Sequence, residues 1–167
     1  MPFELPGLVG IDHVGVAVAD LDEGIAFYTE VLGLVVAHRE ENREQGVVEA
    51  MLAFATGGPG TVGAEVQLLA PLDADSPLNR FLDRSGPGLQ QLACRVGDVE
   101  HAAAALRRRG LRLLYDSARV GTRGSLINFV HPKDAGGVLL ELVQPAAAVS
   151  QGEADQAIRP AGHDEVG

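Results

Sequence analysis

The feature that most constrains this chain is an internal repeat. Residues 11–36 (IDHVGVAVADLDEGIAFYTEVLGLVV) follow the same plan as residues 89–114 (LQQLACRVGDVEHAAAALRRRGLRLL). Each copy is a short apolar strand, an aspartate, an amphipathic helix that ends at a glycine, and another apolar run. Asp20 and Asp98 are placed to cap the two helices at their N-termini. Two copies of one unit predict two modules that pack around a pseudo-twofold axis.

Strand-like runs broken by glycine-rich turns complete each copy. They are LVVAHRE, VVEAMLAF and AEVQLLAP in the first copy, and LRLLYD, SLINFV and VLLELVQP in the second. The chain is therefore predicted to be an α+β protein with two tandem βαβββ modules, about 9–71 and 88–145, in a single domain over 9–145. The linker 72–87 is predicted to contain a short helix. Residues 146–167 are small, polar and acidic without periodicity, and we predict a disordered tail there.

The composition narrows the classes of function. The 167 residues carry a formal net charge of −10, with 13 basic against 23 acidic residues, which argues against a nucleic-acid binder. The apolar runs are too short for a membrane span of ~20 residues. The single Cys94 excludes an internal disulfide, and the N-terminal MPFELPGLVG lacks the basic start and apolar run of a signal peptide. We therefore expect a cytoplasmic protein.

Four polar residues occupy matching positions in strands that are otherwise apolar. His13 of the first copy corresponds to Gln91 of the second, and Gln67 corresponds to Glu141. A buried polar side chain costs on the order of a few kcal/mol unless it is hydrogen-bonded, so four at symmetric positions predict one shared polar site. One imidazole, one carboxylate and two amide oxygens suit a divalent ion such as Co, Mn, Ni, Mg or Zn. Taken singly, His13 also fits a structural histidine and Gln67 a surface residue.

Glu49, in VVEAMLAF, is another ionisable residue with a candidate role. On a strand it shares a face with Val47, Met51 and Ala53. Apolar surroundings raise the pKa of a carboxyl group and suit it to act as a general base. A glutamate on an edge strand that points into water fits the same pattern, and the sequence leaves both interpretations open.

The repeated βαβββ unit with His13, Gln67 and Glu141 resembles the vicinal oxygen chelate superfamily of glyoxalases, extradiol dioxygenases and bleomycin-resistance proteins. Within it, several stretches are similar to the methylmalonyl-CoA epimerase family. They are IDHVGVAV, HREENREQGVVEAML, VQLLAPLDADSPL, GLRLLYD and INFVHPKDAGGVLLELVQP. The resemblance runs from about Val9 to Pro145, and it implies a glyoxalase-like open barrel.

The resemblance implies a divalent metal ion held by His13, Gln67, Gln91 and Glu141. The third position departs from the family pattern, because residues 88–91 read GLQQ where GLHH is typical. An amide oxygen in place of an imidazole shifts the preference toward harder ions. A metal-poor or catalytically altered relative is the alternative.

The reaction implied by the resemblance is epimerisation at C2 of a malonyl-type CoA thioester. The metal, as a Lewis acid, stabilises the enolate that forms when the C2 proton is removed. Glu49 is the implied base on one face, and either Glu141 or water serves the other. CoA carries several negative charges, so its predicted contacts are basic residues of the loops RVGTRGS and HPKDAGG, namely Arg119, Arg123 and Lys133.

The resemblance also implies a homodimer that binds a small CoA thioester, while the charge balance and the short apolar runs lead us to expect no nucleic-acid or membrane partner. Two alternatives stay open. One is a non-catalytic ligand-binding protein of the bleomycin-resistance type, which Gln91 favours. The other is a different metal-dependent lyase, isomerase or dioxygenase on the same scaffold. The missing second histidine argues against a dioxygenase, which commonly uses two histidines and one carboxylate.

Overall fold

The computed structural model describes residues 3–55 and 63–147, and within them the protein is α+β. The strands are β1 Leu8–Ala17, β2 Leu34–Asn42, β3 Val47–Phe54, β4 Glu65–Pro71, β5 Gly88–Val96, β6 Arg119–Val120, β7 Leu126–Val130 and β8 Leu139–Gln144. The helices are α1 Leu21–Leu32, α2 Leu78–Ser85 and α3 Val99–Arg108. The predicted fold class and the order βαβββ in each half are confirmed.

The eight strands form one sheet that curls into a half-barrel. Their order is β2-β3-β4-β1-β5-β8-β7-β6, so the antiparallel pair β1 and β5 joins the two halves. Each of these central strands has a parallel neighbour, β4 for β1 and β8 for β5. Gly15 pairs with Gln67 in the first half, and Ala93 pairs with Glu141 in the second. The same register in both halves confirms the repeat.

Aspartate caps begin α1 and α3 as the sequence predicts. Asp20 Oδ1 accepts a hydrogen bond from the backbone N–H of Glu23 at 2.9 Å, and Asp98 Oδ1 accepts one from His101 at 2.9 Å. Each cap satisfies a backbone donor that the helix leaves free, and such a cap contributes about 1 kcal/mol. Gly33 ends α1 with φ 69°, a conformation that favours glycine.

The helices divide the core between the two faces of the sheet. Helix α1 packs on β3 and β4 through Leu21, Ala50 and Leu68, and α3 covers the same outer face of the second half. Helix α2, which lies in the predicted linker, packs on the inner face through Leu78. A second apolar cluster around Phe129 lies on the inner face of the other half. The polar side chains of the site lie between these two inner clusters.

The strand predicted over residues 111–116 (LRLLYD) is wrong. That segment makes a single bridge, between Leu113 and Val130, and the second strand of the second half is the two-residue β6. The physical reason is the buried Asn128. Its amide accepts from Tyr115 N at 3.2 Å and donates to Tyr115 O at 3.0 Å, so a side chain takes the place of the strand partner.

The domain bounds and the tail stay predictions. Described strands begin at Leu8 and end at Gln144, whereas the predicted tail lies outside the described residues from residue 148 onward, as does most of the TGGPGTVG turn at 56–62. No helix of the described segments is long and apolar enough to cross a membrane.

Candidate active site

Four polar side chains from the two halves of the sheet meet on its inner face. They are His13 of β1, Gln67 of β4, Gln91 of β5 and Glu141 of β8; all are buried, and we call them the polar cluster. Gln91 Nε2 lies 2.9 Å from Gln67 Oε1, 2.7 Å from Glu141 Oε2 and 3.4 Å from His13 Nε2. His13 Nε2 lies 3.3 Å from Glu141 Oε2. The structure brings together the side chains paired by the repeat, and their role as ligands stays a prediction.

Hydrogen bonds from outside the cluster orient two of its members. Asp12 Oδ1 accepts a hydrogen bond from His13 Nδ1 at 2.8 Å, so that Nε2 faces the cluster. Glu49 Oε2 accepts one from Gln67 Nε2 at 2.7 Å, so that Gln67 Oε1 faces it. An acceptor behind an imidazole or an amide is a common way to orient a metal ligand.

The carboxylates of Asp12 and Glu141 set the protonation state of His13. Burial by itself lowers the pKa of His13, but the hydrogen bonds to Asp12 and Glu141 outweigh it and raise the pKa to about 9. Nearby carboxylates favour the charged imidazolium. In the absence of a metal the ring therefore carries two protons at neutral pH, and a divalent ion has to displace one of them to reach Nε2.

Gly15 makes room for Gln91. The two residues lie opposite each other where β1 pairs with β5. A Cβ atom at Gly15 would overlap Gln91 Cγ and lie 2.9 Å from Gln91 Cδ. Any larger residue at position 15 therefore has to displace the Gln91 side chain from the cluster.

The polar cluster has the donor chemistry of a divalent-ion site. Neighbouring ligands of an octahedral ion at ~2.1 Å lie about 3.0 Å apart. The contacts in the cluster, from 2.7 to 3.4 Å, are those of hydrogen-bonded side chains, so the fit to an ion depends on which atoms the cluster offers as ligands. A half-turn of the Gln91 amide replaces its nitrogen with its oxygen, which completes a set of one imidazole, two amide oxygens and one carboxylate. The residues present therefore fit a divalent ion.

The amides are essential to such a site. The described part of the chain contains no group of three or more His, Cys, Asp and Glu side chains arranged to hold a metal ion. Only His13 and Glu141 of the polar cluster belong to those residue types. Oxygen-rich sites of this composition suit hard and borderline ions better than soft ones.

Glu49 is buried beside the cluster, so the interpretation as an edge-strand residue in water is wrong. Only 1% of it is exposed. Thr122 Oγ1 donates to Glu49 Oε1 at 2.7 Å, while Gln67 binds the other oxygen. Burial raises the pKa of Glu49 to about 7, although the hydrogen bond from Thr122 lowers it. The charges of Glu40 and Glu141 add to the rise. A carboxyl group with a pKa near 7 suits general-base chemistry.

A continuous chain of hydrogen bonds joins the two buried carboxylates. Gln67 donates to Glu49 and accepts from Gln91, and Gln91 also donates to Glu141. Glu49 belongs to the first half of the sheet and Glu141 to the second. The carboxylates therefore stand at opposite ends of one polar chain that crosses the junction of the halves.

Two cavities flank the polar cluster. The first, about 200 Å³, is lined by His13 and Glu141, with Arg95 and Arg123 also on its walls. The second, about 220 Å³, is lined by Gln91 and largely by apolar and aromatic side chains. The cluster can therefore be approached from a charged side and from an apolar side.

Two of the three predicted CoA contacts lie near these cavities. Arg123 lines the first cavity and pairs with Glu65, with Nη1 and Oε2 2.6 Å apart. Arg119 pairs with Glu44 at 2.7 Å and lies over the ring of Tyr115, and both partners line the second cavity. Their role in binding stays a prediction.

The third predicted contact lies apart from the cavities. Lys133 belongs to the 3₁₀ turn Pro132–Asp134 and lines neither of them. Arg95, which sequence reasoning did not select, lines the first cavity and donates to Asp12 Oδ2 at 2.7 Å.

Sequence reasoning also missed Asp12 and Thr122. The register of β1 against β5 shifts between Ile11 and His13, so Asp12 and His13 are both buried although adjacent strand residues normally alternate. The sequence did contain a signal for Asp12, namely an acidic residue next to a histidine in an apolar strand. Thr122 lies 73 residues from Glu49, and only the tertiary fold brings the two together.

Comparison with known proteins gives the family. Residues 12–129 match the Glyoxalase/Bleomycin resistance protein/Dioxygenase superfamily. The mitochondrial methylmalonyl-CoA epimerase of Mus musculus is 36% identical over 135 residues, which cover 80% of this chain and 72% of that relative.

Solved structures of epimerases share the fold. The methylmalonyl-CoA epimerase of Mycobacterium tuberculosis is 52% identical with a TM-score of 0.78, over 87% of this chain and 93% of that one. A methylmalonyl-CoA epimerase in complex with methylmalonyl-CoA and NH4+ is 45% identical with a TM-score of 0.76, over 84% of this chain and 96% of that one. This chain belongs to the glyoxalase, bleomycin-resistance and dioxygenase superfamily and, within it, to the methylmalonyl-CoA epimerase family.

Proposed function

We propose that this chain is an isomerase that interconverts (2R)- and (2S)-methylmalonyl-CoA, or a close 2-alkylmalonyl-CoA, by proton transfer at C2. The observation that carries the proposal is the pair of buried carboxylates, Glu49 from the first half of the sheet and Glu141 from the second, beside one polar cluster. The mouse relative and the two solved epimerases compared above are named for this reaction, which supports it over the non-catalytic alternative.

Glu49 removes the C2 proton on one face of the substrate. Its pKa of about 7 leaves a large fraction of the carboxylate ionised at neutral pH and still makes it a stronger base than an ordinary glutamate. The C–H bond breaks, its electron pair moves into the thioester as an enolate, and the proton stays on Glu49. Thr122 and Gln67 hold the carboxylate in place during this step.

Glu141 serves the opposite face. Its carboxyl group delivers a proton to C2 of the enolate, which completes the inversion, and the reverse reaction exchanges the two roles. Glu141 lines the first cavity, so a substrate there is within its reach. Two carboxylates from opposite halves of the sheet give the reaction the two faces that an epimerisation needs.

His13, Gln67, Gln91 and Glu141 are the residues that would hold a divalent ion. Such an ion, when bound, supplies Lewis-acid stabilisation of the negative charge that develops on the substrate oxygens. Asp12 keeps His13 Nε2 directed at the site, and Gly15 leaves space for Gln91. Burial of the cluster keeps bulk water away from the reacting carbon.

Basic side chains at the rim are proposed to bind the CoA moiety. Arg119 and Arg123 flank one short loop beside the site, and both are already paired with an acid. The phosphates of CoA would compete with those acids for the guanidinium groups. Lys133 is a more distant contact, and Arg95 in the first cavity is an additional one. A homodimer and a cytoplasmic location remain predictions.

The test measures epimerisation of each pure enantiomer by wild type, Glu49→Gln and Glu141→Gln, with added Co2+, Mn2+, Ni2+ or Mg2+. Loss of a general acid or base costs roughly 10²–10⁴-fold in rate, and we expect a loss of that size in both variants. Glu41→Gln, an exposed glutamate on β2, is the matched control and should retain the wild-type rate. Folded variants with undiminished rates would contradict the assigned roles.

A further inference from the structure

Gln90, which the reaction above does not use, is the extra residue of a β-bulge. Gln91 pairs with Gly15 where β5 runs beside β1, but the next residue of β1, Val16, pairs with Leu89, so Gln90 has no partner in the register. A bulge re-aims a side chain relative to the strict alternation of a strand. Gln90 and Gln91 therefore both line the second cavity, although they are adjacent in the strand.

The repeat gives Gln90 a counterpart in the first half. The offset of 78 residues that relates His13 to Gln91 also relates Asp12 to Gln90. Asp12 likewise lies at a shift in register, and both of its oxygens are used within the protein, Oδ1 by His13 and Oδ2 by Arg95. Gln90 Oε1, in contrast, is a buried atom with no hydrogen-bond partner among the described residues. Buried acceptors in native proteins are nearly always paired, so this oxygen indicates a donor that comes from outside those residues.

The second cavity suits a neutral molecule. Among the described residues that line it, only Glu44 is charged, and it is paired with Arg119. The other walls are largely apolar and come from the inner face of the sheet and from α2, including Val47, Leu69, Leu78, Phe129 and Leu139. A cavity of about 150 Å³ holds benzene, so the second cavity, at about 220 Å³, holds on the order of nine non-hydrogen atoms.

We propose that the second cavity binds the cysteamine end of the pantetheine arm of the substrate, and that Gln90 Oε1 accepts a hydrogen bond from the amide N–H of that arm. The proposal rests on the proposed function, in which the substrate is a CoA thioester. The sulphur, the two methylene groups and the amide of cysteamine form a neutral chain that the cavity is large enough to hold. The terminal torsion of a glutamine side chain is soft, so Oε1 can turn toward the amide.

The position of Gln90 fits the order of groups along the arm. Gln91 belongs to the polar cluster and also lines the cavity, so the thioester lies at Gln91 and the amide two methylene groups further on lies at Gln90. The 2-alkyl group of the substrate is the competing occupant of the cavity. It has no hydrogen-bond donor and would leave Gln90 Oε1 unpaired, whereas the arm supplies a donor.

The test compares two short substrates that differ in a single group. One is the methylmalonyl thioester of N-acetylcysteamine, and the other carries an ester oxygen in place of its amide N–H. The value of kcat/KM for epimerisation is measured for wild type and Gln90→Leu. Wild type should prefer the amide about tenfold, because the ester has no donor for Gln90 Oε1. Gln90→Leu should show no preference, because the acceptor is gone.

A second glutamine of the same cavity is the matched control. Gln45 also lines the second cavity, and Gln45→Leu should keep the preference for the amide. Unfolding in the absence of substrate adds an independent measurement. Gln90→Leu should be at least as stable as wild type, because the substitution removes a buried oxygen that has no partner among the described residues. A purely structural role for Gln90 predicts instead a less stable variant with equal losses for the two thioesters.

Titration calorimetry with propionyl-CoA tests the subsite without turnover. This thioester has the complete arm but no malonyl carboxylate, and wild type should bind it about tenfold more tightly than Gln90→Leu. Equal affinities, no binding by wild type, or an amide preference that survives in Gln90→Leu would overturn the subsite. A wild-type protein that binds propionyl-CoA in the expected way but does not epimerise methylmalonyl-CoA would overturn the proposed function and leave the subsite supported.

Discussion

At the residue scale, the orientation of the Gln91 amide sets the hydrogen bonding of the polar cluster, and in the proposed metal site it sets whether this side chain faces the ion with its nitrogen or its oxygen. With its nitrogen inward, Gln91 donates to Gln67 and Glu141, and the buried acceptors are satisfied without an ion. With its oxygen inward, the same side chain would be a ligand of the proposed metal ion. The two states differ by one half-turn, so metal binding has to offset the hydrogen bonds that it replaces.

A substitution at Gln91 tests this account. Gln91→His removes the competing amide donor and supplies an imidazole, which borderline ions prefer to an amide oxygen. We expect at least a tenfold tighter affinity for Co2+ or Zn2+, and a weaker affinity than wild type in Gln91→Leu. Isothermal titration with each ion measures both. Equal affinities in the three proteins would show that position 91 does not contact the ion.

Glu49 couples the stability of the protein to pH. Its folded pKa of about 7 lies above the ordinary value of 4.5 because the residue is buried. A group whose pKa is raised by folding contributes stability below its unfolded pKa, and that contribution is lost as pH rises through the folded pKa. The free energy of unfolding of wild type, relative to Glu49→Gln, should therefore fall between pH 4.5 and 7.

The size of this effect is at most about 3 kcal/mol, which corresponds to the full pKa difference. Urea unfolding of both proteins at a series of pH values measures it. The variant serves as the reference because all other titrating groups are common to the two proteins. A difference in unfolding free energy that stays constant with pH would show that Glu49 has an ordinary pKa in the folded state.

At the element scale, strand β1 positions the site through the absence of a side chain at Gly15 as well as through the side chain of His13. His13 and Gly15 are on the same face, one as a cluster member and the other as the space that Gln91 occupies. We expect Gly15→Ala to destabilise the protein by about 1–3 kcal/mol, as overpacking does in a tight core. It should also weaken metal binding, because Gln91 is displaced.

A glycine on the same strand is the matched control. Nothing lies within 4 Å of a Cβ atom built at Gly10, so Gly10→Ala should leave stability and metal affinity close to wild type. Denaturant unfolding and metal titration of both variants measure the contrast. Equal behaviour of Gly15→Ala and Gly10→Ala would remove the packing argument for position 15.

Local signals predicted the elements well where the sequence itself contains the reason. Asp20 and Asp98 begin their helices because the capping interaction is made within three residues. The segment 111–116 failed because its strand partner is replaced by the side chain of Asn128, which no local pattern indicates. Short-range chemistry is visible in a sequence, and a competing tertiary hydrogen bond is not.

The site shows the same contrast between local signals, which the sequence reveals, and long-range contacts, which it does not. Polar residues in apolar strands revealed the cluster, because the repeat relates His13 to Gln91 and Gln67 to Glu141. Asp12 was not predicted as a site residue because a shift in register buries it next to His13. Contacts between distant segments, such as those of Thr122 with Glu49, depend on how β3 and the loop after β6 meet in the folded protein.

At the scale of the whole molecule, duplication explains the fold and the way in which the proposed site is assembled. Each half supplies one buried carboxylate and part of the polar cluster, and β1 and β5 join them. Neither half contains a complete set of groups, so the site exists only when both are folded together. In the proposed reaction, each half of the sheet supplies the acid or base for one face of the substrate.

The surface is consistent with the predicted homodimer. Large apolar side chains are exposed at the end of α1 and the start of β2, including Val31, Leu32, Val35 and Val36. Exposed apolar groups that lie close together often mark a protein interface. The oligomeric state itself remains a prediction.

The central claim is that the buried pair Glu49 and Glu141 exchanges protons with C2 of a malonyl-type CoA thioester. The most direct measurement is proton NMR of methylmalonyl-CoA in D2O with purified protein and each candidate divalent ion. If Glu49 and Glu141 exchange protons with C2, the methyl doublet collapses in wild type as C2 takes up deuterium, and it collapses far more slowly in Glu49→Gln. A doublet that stays intact with Co2+, Mn2+, Ni2+ and Mg2+ would contradict the account.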